Sequence, residues 1–374
     1  MKVAFLRELH EGEKRVSAVP ATVEKLVKAG IEVAVESEAG IASALPDAEY
    51  AKAGARVARF PEVVGEASAI VKIRPPLARA SAHEIDSFPE GAALVSSGLP
   101  RSDETLREKL KRRRISAFSL DLLPRIARAQ SMDVLSSMAN IGGYKSVLLA
   151  ANALGKFFPM LMTAAGTILP AKVLVLGAGV AGLQAVATAR RLGALVAAFD
   201  VRPVVKEQVE SLGARFVSAE AHEGAEDARG YAKEVSADAA QREREAILKE
   251  LAQSDVCITT ALVPGKKAPV LVTASMVQAM GLGSVIVDLA AEQGGNCELT
   301  EAGKEIVEHG VTILGPVNLP SAMAPQASQL YARNVLNFLL HVFDKERKRI
   351  AVDRNDEIVR SCLIAHDGEM LQAG

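Results

Sequence analysis

Three glycines in the spacing Gly177-x-Gly179-x-x-Gly182 constrain the fold of this chain more than any other feature. They follow the apolar run KVLVL, which predicts a strand, and precede LQAVATARRLG, which predicts a helix. In such a unit the first glycine allows a tight turn, the second a close backbone approach, and the third close helix–strand packing. The helix start, with its N–H groups and positive dipole end, suits a pyrophosphate. The motif therefore predicts a parallel α/β sheet that binds a dinucleotide.

The next predicted strand, ALVAAFD, indicates which dinucleotide is bound. It ends in Asp200, and a carboxylate there accepts hydrogen bonds from both ribose hydroxyls of the adenosine half and repels a 2′-phosphate. This favours NAD(H) over NADP(H), although Arg202 softens the preference. The alternative is a Rossmann domain that has lost its nucleotide, which the agreement of glycines, strand, helix and acid disfavours.

The segment before the glycine motif predicts another α/β domain. VAFLRE, TVEKLVKAG and IEVAVE predict strand, helix and strand, and AIVKIRPP and ALVSSGLP predict further strands. Ser102-Asp-Glu predicts the capped start of a helix through LREKLKRRR. Strands alternating with helices imply right-handed βαβ units and a parallel sheet. The stretch from Ser131 to about Leu154 predicts a long helix, and DVCITT, SVIVDLA and VTILG predict later strands.

The C-terminal stretch ASQLYARNVLNFLLHVFDKE has helical periodicity, and its apolar side comprises Leu330, Val335, Leu336, Leu339 and Phe343. We expect this helix to pack back on the first domain. The predicted fold class is therefore α/β, with two Rossmann-like parallel-sheet domains, the first discontinuous and completed by the C-terminal helix. The predicted boundaries are residues 1–135 with 325–374 for the first domain and 136–324 for the NAD-binding Rossmann domain.

Composition excludes several classes of function. The chain carries 44 Lys+Arg against 45 Asp+Glu, which excludes a globally basic nucleic-acid-binding protein, and it has no Trp with which to stack bases. The three cysteines, Cys257, Cys297 and Cys362, form no C-x-x-C, which indicates a reducing compartment and neither a disulfide scaffold nor a zinc ribbon. No metal-ligand cluster is visible, so we expect no metal. The apolar stretch Phe157–Ala171 is too short for a membrane span, and the N-terminus lacks a signal-peptide pattern, so we expect a soluble, cytoplasmic chain.

The polar loop PRIARAQSMD, residues 124–133, is the other candidate site. Arginine and glutamine can hydrogen-bond a nicotinamide carboxamide and its ribose, and Asp133 suits orientation of the arginine. In the alternative interpretation, Ser131 is a helix N-cap and the arginines lie on a solvated rim. The residues alone favour neither interpretation. None of the six histidines stands in a catalytic motif, so no group is evident to take the proton that alcohol or amine oxidation releases. The basic runs Lys111–Arg114 and Lys345–Arg349 are expected to be solvated faces at helix ends, and the alternative for them is a surface that binds a partner or lipid headgroups.

Taken together, these residues resemble the NAD(H)-binding component, the region of the alpha subunit called domain I, of proton-translocating nicotinamide nucleotide transhydrogenases. The resemblance covers essentially the whole chain. Its most specific segments are PRIARAQSMDVLSS, VLGAGVAGLQAVATARRLGA, DVRPVVKEQVESLGARF, GYAKE, TTALVPGKKAPVLVT and VDLAAEQGGNCELT. The related alanine dehydrogenases share the two-domain design, and Arg15 in EKRVSAVP matches their substrate-carboxylate arginine.

The resemblance implies direct hydride transfer from NADH to NADP⁺ held by another subunit, so that no proton is handled at the reacting carbon. The catalytic residues that it implies, around the nicotinamide and its ribose, are Arg125, Gln130, Asp133 and Ser136. The cofactor-binding residues that it implies are Ser131, Met132, Gly177, Gly179, Val180, Ala181, Gly182, Asp200, Val201, Arg202, Gly230, Tyr231 and Leu262. Gly230 and Tyr231 would lie in a mobile loop, which suits the polar stretch Ser218–Arg244. Glu243 departs from the glutamine of the family's nucleotide-site pattern.

The resemblance also implies partners and a location. It implies a homodimer, an NADP(H)-binding beta subunit and a membrane proton-channel subunit, with the chain on the cytoplasmic side of the membrane and no nucleic acid bound. Because the sequence stops after MLQAG, it resembles the split form of the enzyme. One alternative is an alanine dehydrogenase-like enzyme that reductively aminates a 2-oxo acid. That family has a lysine where we align Arg74 and a histidine where LVSSGLP has none. A further alternative is a non-catalytic NAD-sensing or scaffold subunit.

Overall fold

The structure, a computed structural model, describes residues 1–80, 82–100, 103–217, 237–263 and 266–371. The chain divides into two compact units, Met1–Met138 with Pro320–Gly374 (unit 1) and Ala139–Leu319 (unit 2). No helix among the described residues is both long enough and apolar enough to cross a bilayer. Gly230 and Tyr231 lie outside the described residues.

The strands of the two units follow one another along the chain. They are β1 (Lys2–Phe5), β2 (Glu32–Glu36), β3 (Arg56–Ala58), β4 (Ala69–Val71), β5 (Ala93–Ser96), β6 (Ser116–Ser119), β7 (Leu161–Thr163), β8 (Gly166–Ile168), β9 (Lys172–Leu176), β10 (Leu195–Phe199), β11 (Arg215–Val217), β12 (Val256–Thr259), β13 (Val285–Asp288), β14 (Glu305–Glu308), β15 (Val311–Leu314), β16 (Phe343–Asp344), β17 (Arg349–Ile350), β18 (Leu363–His366) and β19 (Glu369–Met370).

The α-helices lie between these strands. They are α1 (Pro20–Lys28), α2 (Asp47–Lys52), α3 (Glu104–Arg112), α4 (Val134–Ala153), α5 (Val180–Arg191), α6 (Lys206–Ser211), α7 (Ala237–Leu251), α8 (Ala274–Gln278), α9 (Ala324–Val342) and α10 (Glu357–Cys362).

Unit 1 contains a sheet with the strand order β19-β18-β6-β5-β4-β1-β2-β3. The strands from β6 to β3 are parallel to their neighbours, whereas β18 runs antiparallel to β6 and β19 antiparallel to β18. One hydrophobic cluster contains Val3 and Phe5 of β1 and another contains Ala4, so both faces of this strand are covered. A sheet buried on both faces explains why its strands are continuous apolar runs.

Helix α9 belongs to the core of unit 1. Tyr331, Val335, Phe338 and Leu339 are buried in the same cluster as Phe5, and the ring of Phe338 makes an edge-on contact with Phe118 of β6 at 5.4 Å between centroids. The C-terminal segment therefore returns to the first sheet, and beyond the helix it adds the two antiparallel strands β18 and β19, which the periodicity did not predict.

Unit 2 contains a sheet with the order β11-β10-β9-β12-β13-β15-β14, in which only β14 is antiparallel to its neighbour among the described strands. Numbering its parallel strands from β9 gives the order 3-2-1-4-5-6 of the dinucleotide-binding fold. The order reverses between β9 and β12. Ligands in such sheets bind at the carboxyl ends of the strands beside this reversal. The predicted class, α/β with mainly parallel sheets, is confirmed.

Several local predictions need correction. The long helix begins at Val134 rather than Ser131, because residues 127–132 form a 3₁₀ turn and Asp133 caps the helix. Leu330 and Phe343 are only half-buried, and Phe343 belongs to β16 rather than to the helix. The run Lys345–Arg349 lies at the β16–β17 turn and not at a helix end, whereas Lys111 and Arg112 do end α3.

Candidate functional site

The glycine turn of unit 2 is built by close contacts that tolerate no side chain at two of its three glycines. Gly177 has a positive φ of 96°, and a Cβ atom there would lie 2.7 Å from Oγ1 of Thr260. A Cβ atom on Gly182 would lie 1.8 Å from the carbonyl oxygen of Gly177. Helix α5 therefore starts directly on the turn that follows β9.

Gly179 differs from the other two, because a Cβ atom there would meet nothing within 4 Å. It is the N-cap of α5, a 12-residue helix whose first N–H groups, starting at Val180 and Ala181, lie at the positive end of the helix dipole. The open space beside Gly179 and this helix start fit the pyrophosphate of a dinucleotide.

Two further contacts hold the turn in place, and neither was predicted. Thr260 Oγ1 donates to the carbonyl oxygen of Gly177 at 2.9 Å, which joins the turn to the end of β12. On α4, a Cβ atom on Gly143 would lie 2.0 Å from the carbonyl oxygen of Ala181, so this glycine allows α4 to approach the start of α5. A polar residue directly after a buried strand, as in DVCITT, was the signal for Thr260.

Asp200 follows β10 and is bound to the same turn. Its Oδ2 accepts the N–H of Ala178 at 2.7 Å, and its Oδ1 accepts both the backbone N–H and the Nε of Arg202 at 2.9 Å. The Asp200 side chain is only 6% exposed and that of Arg202 16%. The acid predicted to select NAD(H) therefore lies at the glycine turn with the neighbouring guanidinium paired to it, and Val201 separates the two.

The ends of β12 and β13 are joined by a buried polar network that sequence reasoning also missed. Asp288 is fully buried and accepts hydrogen bonds from the N–H groups of Asn296 and Cys297 and from Thr259 Oγ1. The Asn296 side chain accepts the N–H of Ala261 at 2.9 Å and donates to its carbonyl oxygen at 2.8 Å. This holds the segment that carries Leu262, which is 39% exposed.

The residues of the polar loop of unit 1 differ in their exposure. Arg125, Gln130 and Ser131 are exposed, whereas Met132 is buried, and Asp133 and Ser136 are half-buried. Asp133 Oδ1 accepts the Ser136 N–H at 2.9 Å and its Oδ2 accepts the Ser136 hydroxyl. The interpretation of Ser131 as the N-cap is therefore wrong, since Asp133 occupies that position.

Unit 1 also buries a group of charges near Arg15. Arg15 forms two hydrogen bonds with Glu13, from Nε at 2.7 Å and from Nη2 at 2.6 Å, and Glu13 also accepts Arg74 Nε at 3.2 Å. Burial raises the pKa of Glu13, but the hydrogen bonds and charge of Arg15 outweigh it and lower that pKa to about 2. Burial raises the pKa of Glu8 to about 7, against the opposing charge of Lys72.

No cluster of His, Cys, Asp or Glu that would hold a metal ion occurs within the described ranges. The three cysteines are buried thiols, and burial raises the pKa of Cys257 and Cys362 above the usual range. The basic end of α3 is paired within unit 1, with Lys109 and Arg112 on Asp86 at 2.7 Å and Lys111 on Glu108 at 2.6 Å. This pairing agrees with a solvated face.

Comparison with known proteins assigns the chain and its fold to one family. The alanine dehydrogenase/PNT family matches the chain twice, its N-terminal domain over residues 4–142 and its C-terminal domain over residues 146–373. The chain belongs to this family.

Within the family, the chain is more similar to transhydrogenase subunits than to alanine dehydrogenases. It is 47% identical to the first of the polypeptides that make up the NAD(P) transhydrogenase alpha subunit of Rhodospirillum rubrum, over 99% of this chain and 98% of that protein. It is 44% identical to the NAD(P) transhydrogenase subunit alpha of Haemophilus influenzae, over 99% of this chain and 71% of that protein. Alanine dehydrogenase 2 of Staphylococcus aureus is 30% identical over 89% of this chain and 85% of its own.

Among solved structures, too, a transhydrogenase is more similar to this chain than an alanine dehydrogenase. A transhydrogenase from Sinorhizobium meliloti superposes with a TM-score of 0.89 at 42% identity, covering 99% of this chain and 100% of that one. An L-alanine dehydrogenase superposes with a TM-score of 0.82 at 27% identity, covering 99% of this chain and 97% of that one.

Proposed function

We propose that this chain is the NAD(H)-binding subunit of a proton-translocating nicotinamide nucleotide transhydrogenase. The predicted transhydrogenase function is confirmed by the similarity to alpha subunits over nearly the full length of the chain. The observation that carries the proposal at the level of chemistry is the glycine turn of unit 2, where Gly177 and Gly182 are closed to side chains and Gly179 is open.

The residues of unit 2 have separate roles toward NAD(H) in this proposal. Gly179, Val180 and Ala181 offer the helix start to the pyrophosphate. Asp200 accepts the adenosine ribose hydroxyls, and its pairing with Arg202 holds the carboxylate at the turn. Leu262 lies toward the adenine. Three further residues are predicted to bind the cofactor, namely Val201, Gly230 and Tyr231.

The loop of unit 1 positions the nicotinamide end. Arg125 and Gln130 hydrogen-bond the carboxamide and ribose, with Ser131 and Met132 beside them. Asp133 and Ser136 fix the base of the loop through their mutual hydrogen bonds. When bound, NADH supplies the hydride that passes directly to NADP⁺ on the beta subunit. The contribution of this chain is orientation and the exclusion of water, which requires no acid or base at the reacting carbon.

The proposal extends to the assembly. We propose that the chain forms a homodimer and docks, on the cytoplasmic side, against an NADP(H)-binding beta subunit and a membrane proton-channel subunit, and that proton translocation belongs to that complex. The hairpin of β7 and β8 supports a dimer, because Met162 of β7 is 78% exposed and Leu169, directly after β8, is 70% exposed. A two-stranded hairpin with exposed apolar side chains needs a covering surface.

The experiment that tests the function mixes the purified chain with an NADP(H)-binding transhydrogenase component. Reduction of an NADP⁺ analogue by NADH is followed in one assay, and consumption of NADH with pyruvate and ammonium in a parallel assay. We expect turnover only in the first. Turnover only in the second assay would favour the alanine dehydrogenase alternative, and NADH binding without turnover in either would favour a sensor subunit.

A further inference from the structure

The 3₁₀ turn at residues 127–132 rests on helix α9. Ala129 and Met132 point into the hydrophobic core of unit 1, where they join Val335 and Leu339 of the helix. Gln130 and Ser131 are exposed on the opposite side. Apolar packing against α9 therefore sets the position of the turn, but it does not orient the peptide groups of the turn.

Two asparagines of α9 supply that orientation. Asn334 Nδ2 donates to the backbone carbonyl oxygen of Ser131 at 2.9 Å, and Asn337 Nδ2 donates to the same oxygen at 3.0 Å. The asparagines are three positions apart and share one face of the helix. A carbonyl oxygen has two lone pairs, so the two amides use its full accepting capacity. The peptide group between Ser131 and Met132, one residue beyond Gln130, is therefore held to helix α9 by two hydrogen bonds. We call this pair of hydrogen bonds the asparagine clamp.

Asn334 lies in a buried environment that does not favour its polar side chain. The residue is 6% exposed, and its Oδ1 is buried with no hydrogen-bond partner among the residues that the structure describes. A buried acceptor without a donor destabilises the folded state. An apolar side chain of similar size would avoid this cost but would lose the Nδ2 hydrogen bond to Ser131, so that bond is what the amide contributes at this position.

The C-terminal end of the turn is held independently. Asp133 caps α4 through the N–H and hydroxyl of Ser136, and these contacts do not involve α9. The asparagine clamp on the Ser131 carbonyl and the α4 cap at Asp133 thus both follow Gln130 within three residues. Together they fix the backbone that follows Gln130, while the buried Ala129 fixes the residue before it.

We propose that Asn334 and Asn337 are positioning residues for hydride transfer, acting through the Ser131 carbonyl to hold Gln130 in the orientation that the nicotinamide requires. The inference rests on the proposed role of the loop, and it adds two residues on a distant segment of the chain that do not themselves touch the nucleotide in this account. Misorientation of a reacting ring lowers the rate of transfer more than the affinity, because most of the binding contacts are made elsewhere on the dinucleotide.

The test compares Asn334→Leu, Asn337→Ala and the double variant with the unchanged chain, each mixed with the NADP(H)-binding component. We expect kcat for hydride transfer to fall about tenfold in the double variant while the Kd for NADH stays within about twofold. Asn337→Gln, which keeps a donor, is expected to retain most of the rate. Gln329→Ala is the matched control, since Gln329 is exposed on the same helix.

Two measurements separate positioning from a general loss of structure. Thermal unfolding of Asn334→Leu is expected near the temperature of the unchanged chain, since removal of the unpaired Oδ1 offsets the loss of the Nδ2 hydrogen bond to Ser131. Amide hydrogen exchange in residues 127–132, measured without nucleotide, is expected to be faster in the double variant and unchanged in Gln329→Ala. A fall in unfolding temperature, NADH affinity and rate together, in Asn334→Leu and in half-buried Asn337→Ala, would contradict the inference.

A double-mutant cycle with Gln130→Ala distinguishes this inference from the proposed function. If Asn337 acts through Gln130, the effects of Asn337→Ala and Gln130→Ala on kcat are less than additive. Full additivity, or an unchanged rate in the asparagine variants while Gln130→Ala is slow, overturns the inference alone. An unchanged rate in Gln130→Ala overturns both the role of the loop and the inference.

Discussion

At the scale of single residues, the three glycines of the dinucleotide turn are required for different physical reasons. Gly177 and Gly182 are required by the protein itself, since a Cβ atom at either would lie 2.7 Å or less from another atom of unit 2. Gly179 meets no such obstacle, and its φ of −75° is open to any residue. The need for glycine at this position must come from the ligand.

This difference predicts opposite outcomes for two alanine substitutions. Gly182→Ala should lower stability by about 1–3 kcal/mol through overpacking, measured by thermal or urea unfolding. Gly179→Ala should unfold like the unchanged chain but bind NADH about tenfold more weakly, measured by fluorescence titration, because the methyl group occupies the space of the pyrophosphate. Normal NADH affinity in Gly179→Ala would show that the pyrophosphate does not lie there.

Buried Glu8 predicts a pH dependence of stability in unit 1. Its pKa in the folded protein, about 7, is above the value of 4.5 expected when unfolded, because burial disfavours the charged form. The folded state therefore loses stability as the pH rises from about 4.5 through 7, on the order of a few kcal/mol. Glu8→Gln removes this titration, so its free energy of unfolding relative to that of the unchanged chain should increase between pH 5 and pH 8. A difference that stays constant over this range would contradict the raised pKa.

At the scale of elements, sequence periodicity predicted most of what positions the site. The strand–turn–helix unit at Gly177 and the acid at Asp200 lie where the pattern placed them, since glycine spacing and strand hydrophobicity are local signals. The start of α4 was missed because Ser131 and Asp133 are both good caps, and only the fold decides which one binds the helix N–H groups. The Asn296 network and the asparagines of α9 join distant segments, which no local pattern reveals.

We expect the β7–β8 hairpin to form the contact of the proposed homodimer. Replacing Met162 and Leu169 together by Asp should shift the protein from dimer to monomer in light scattering after size-exclusion chromatography, because charges there oppose apolar contact. Leu282→Asp is the matched control, as Leu282 is 87% exposed elsewhere in unit 2 and should leave the dimer intact. A dimer that survives both hairpin substitutions would exclude the hairpin as its contact.

At the scale of the whole molecule, two units with the same order of parallel strands divide the work of the proposed reaction. Unit 2 carries the glycine turn and Asp200, which are suited to the pyrophosphate and adenosine half of NAD(H), and unit 1 carries the loop with Gln130. Each contributes orientation, and neither has to supply a proton to the reacting carbon. This explains how a chain whose histidines stand in no catalytic motif can belong to a family of oxidoreductases.

The most direct test of this account follows the transferred hydrogen itself. The chain is combined with an NADP(H)-binding transhydrogenase component and supplied with NADP⁺ and NADH deuterated at the transferred position of its C4. Direct transfer between the two nicotinamides predicts NADPH that carries the deuterium at C4, measured by mass spectrometry or proton NMR. NADPH that has taken its C4 hydrogen from water would contradict the account.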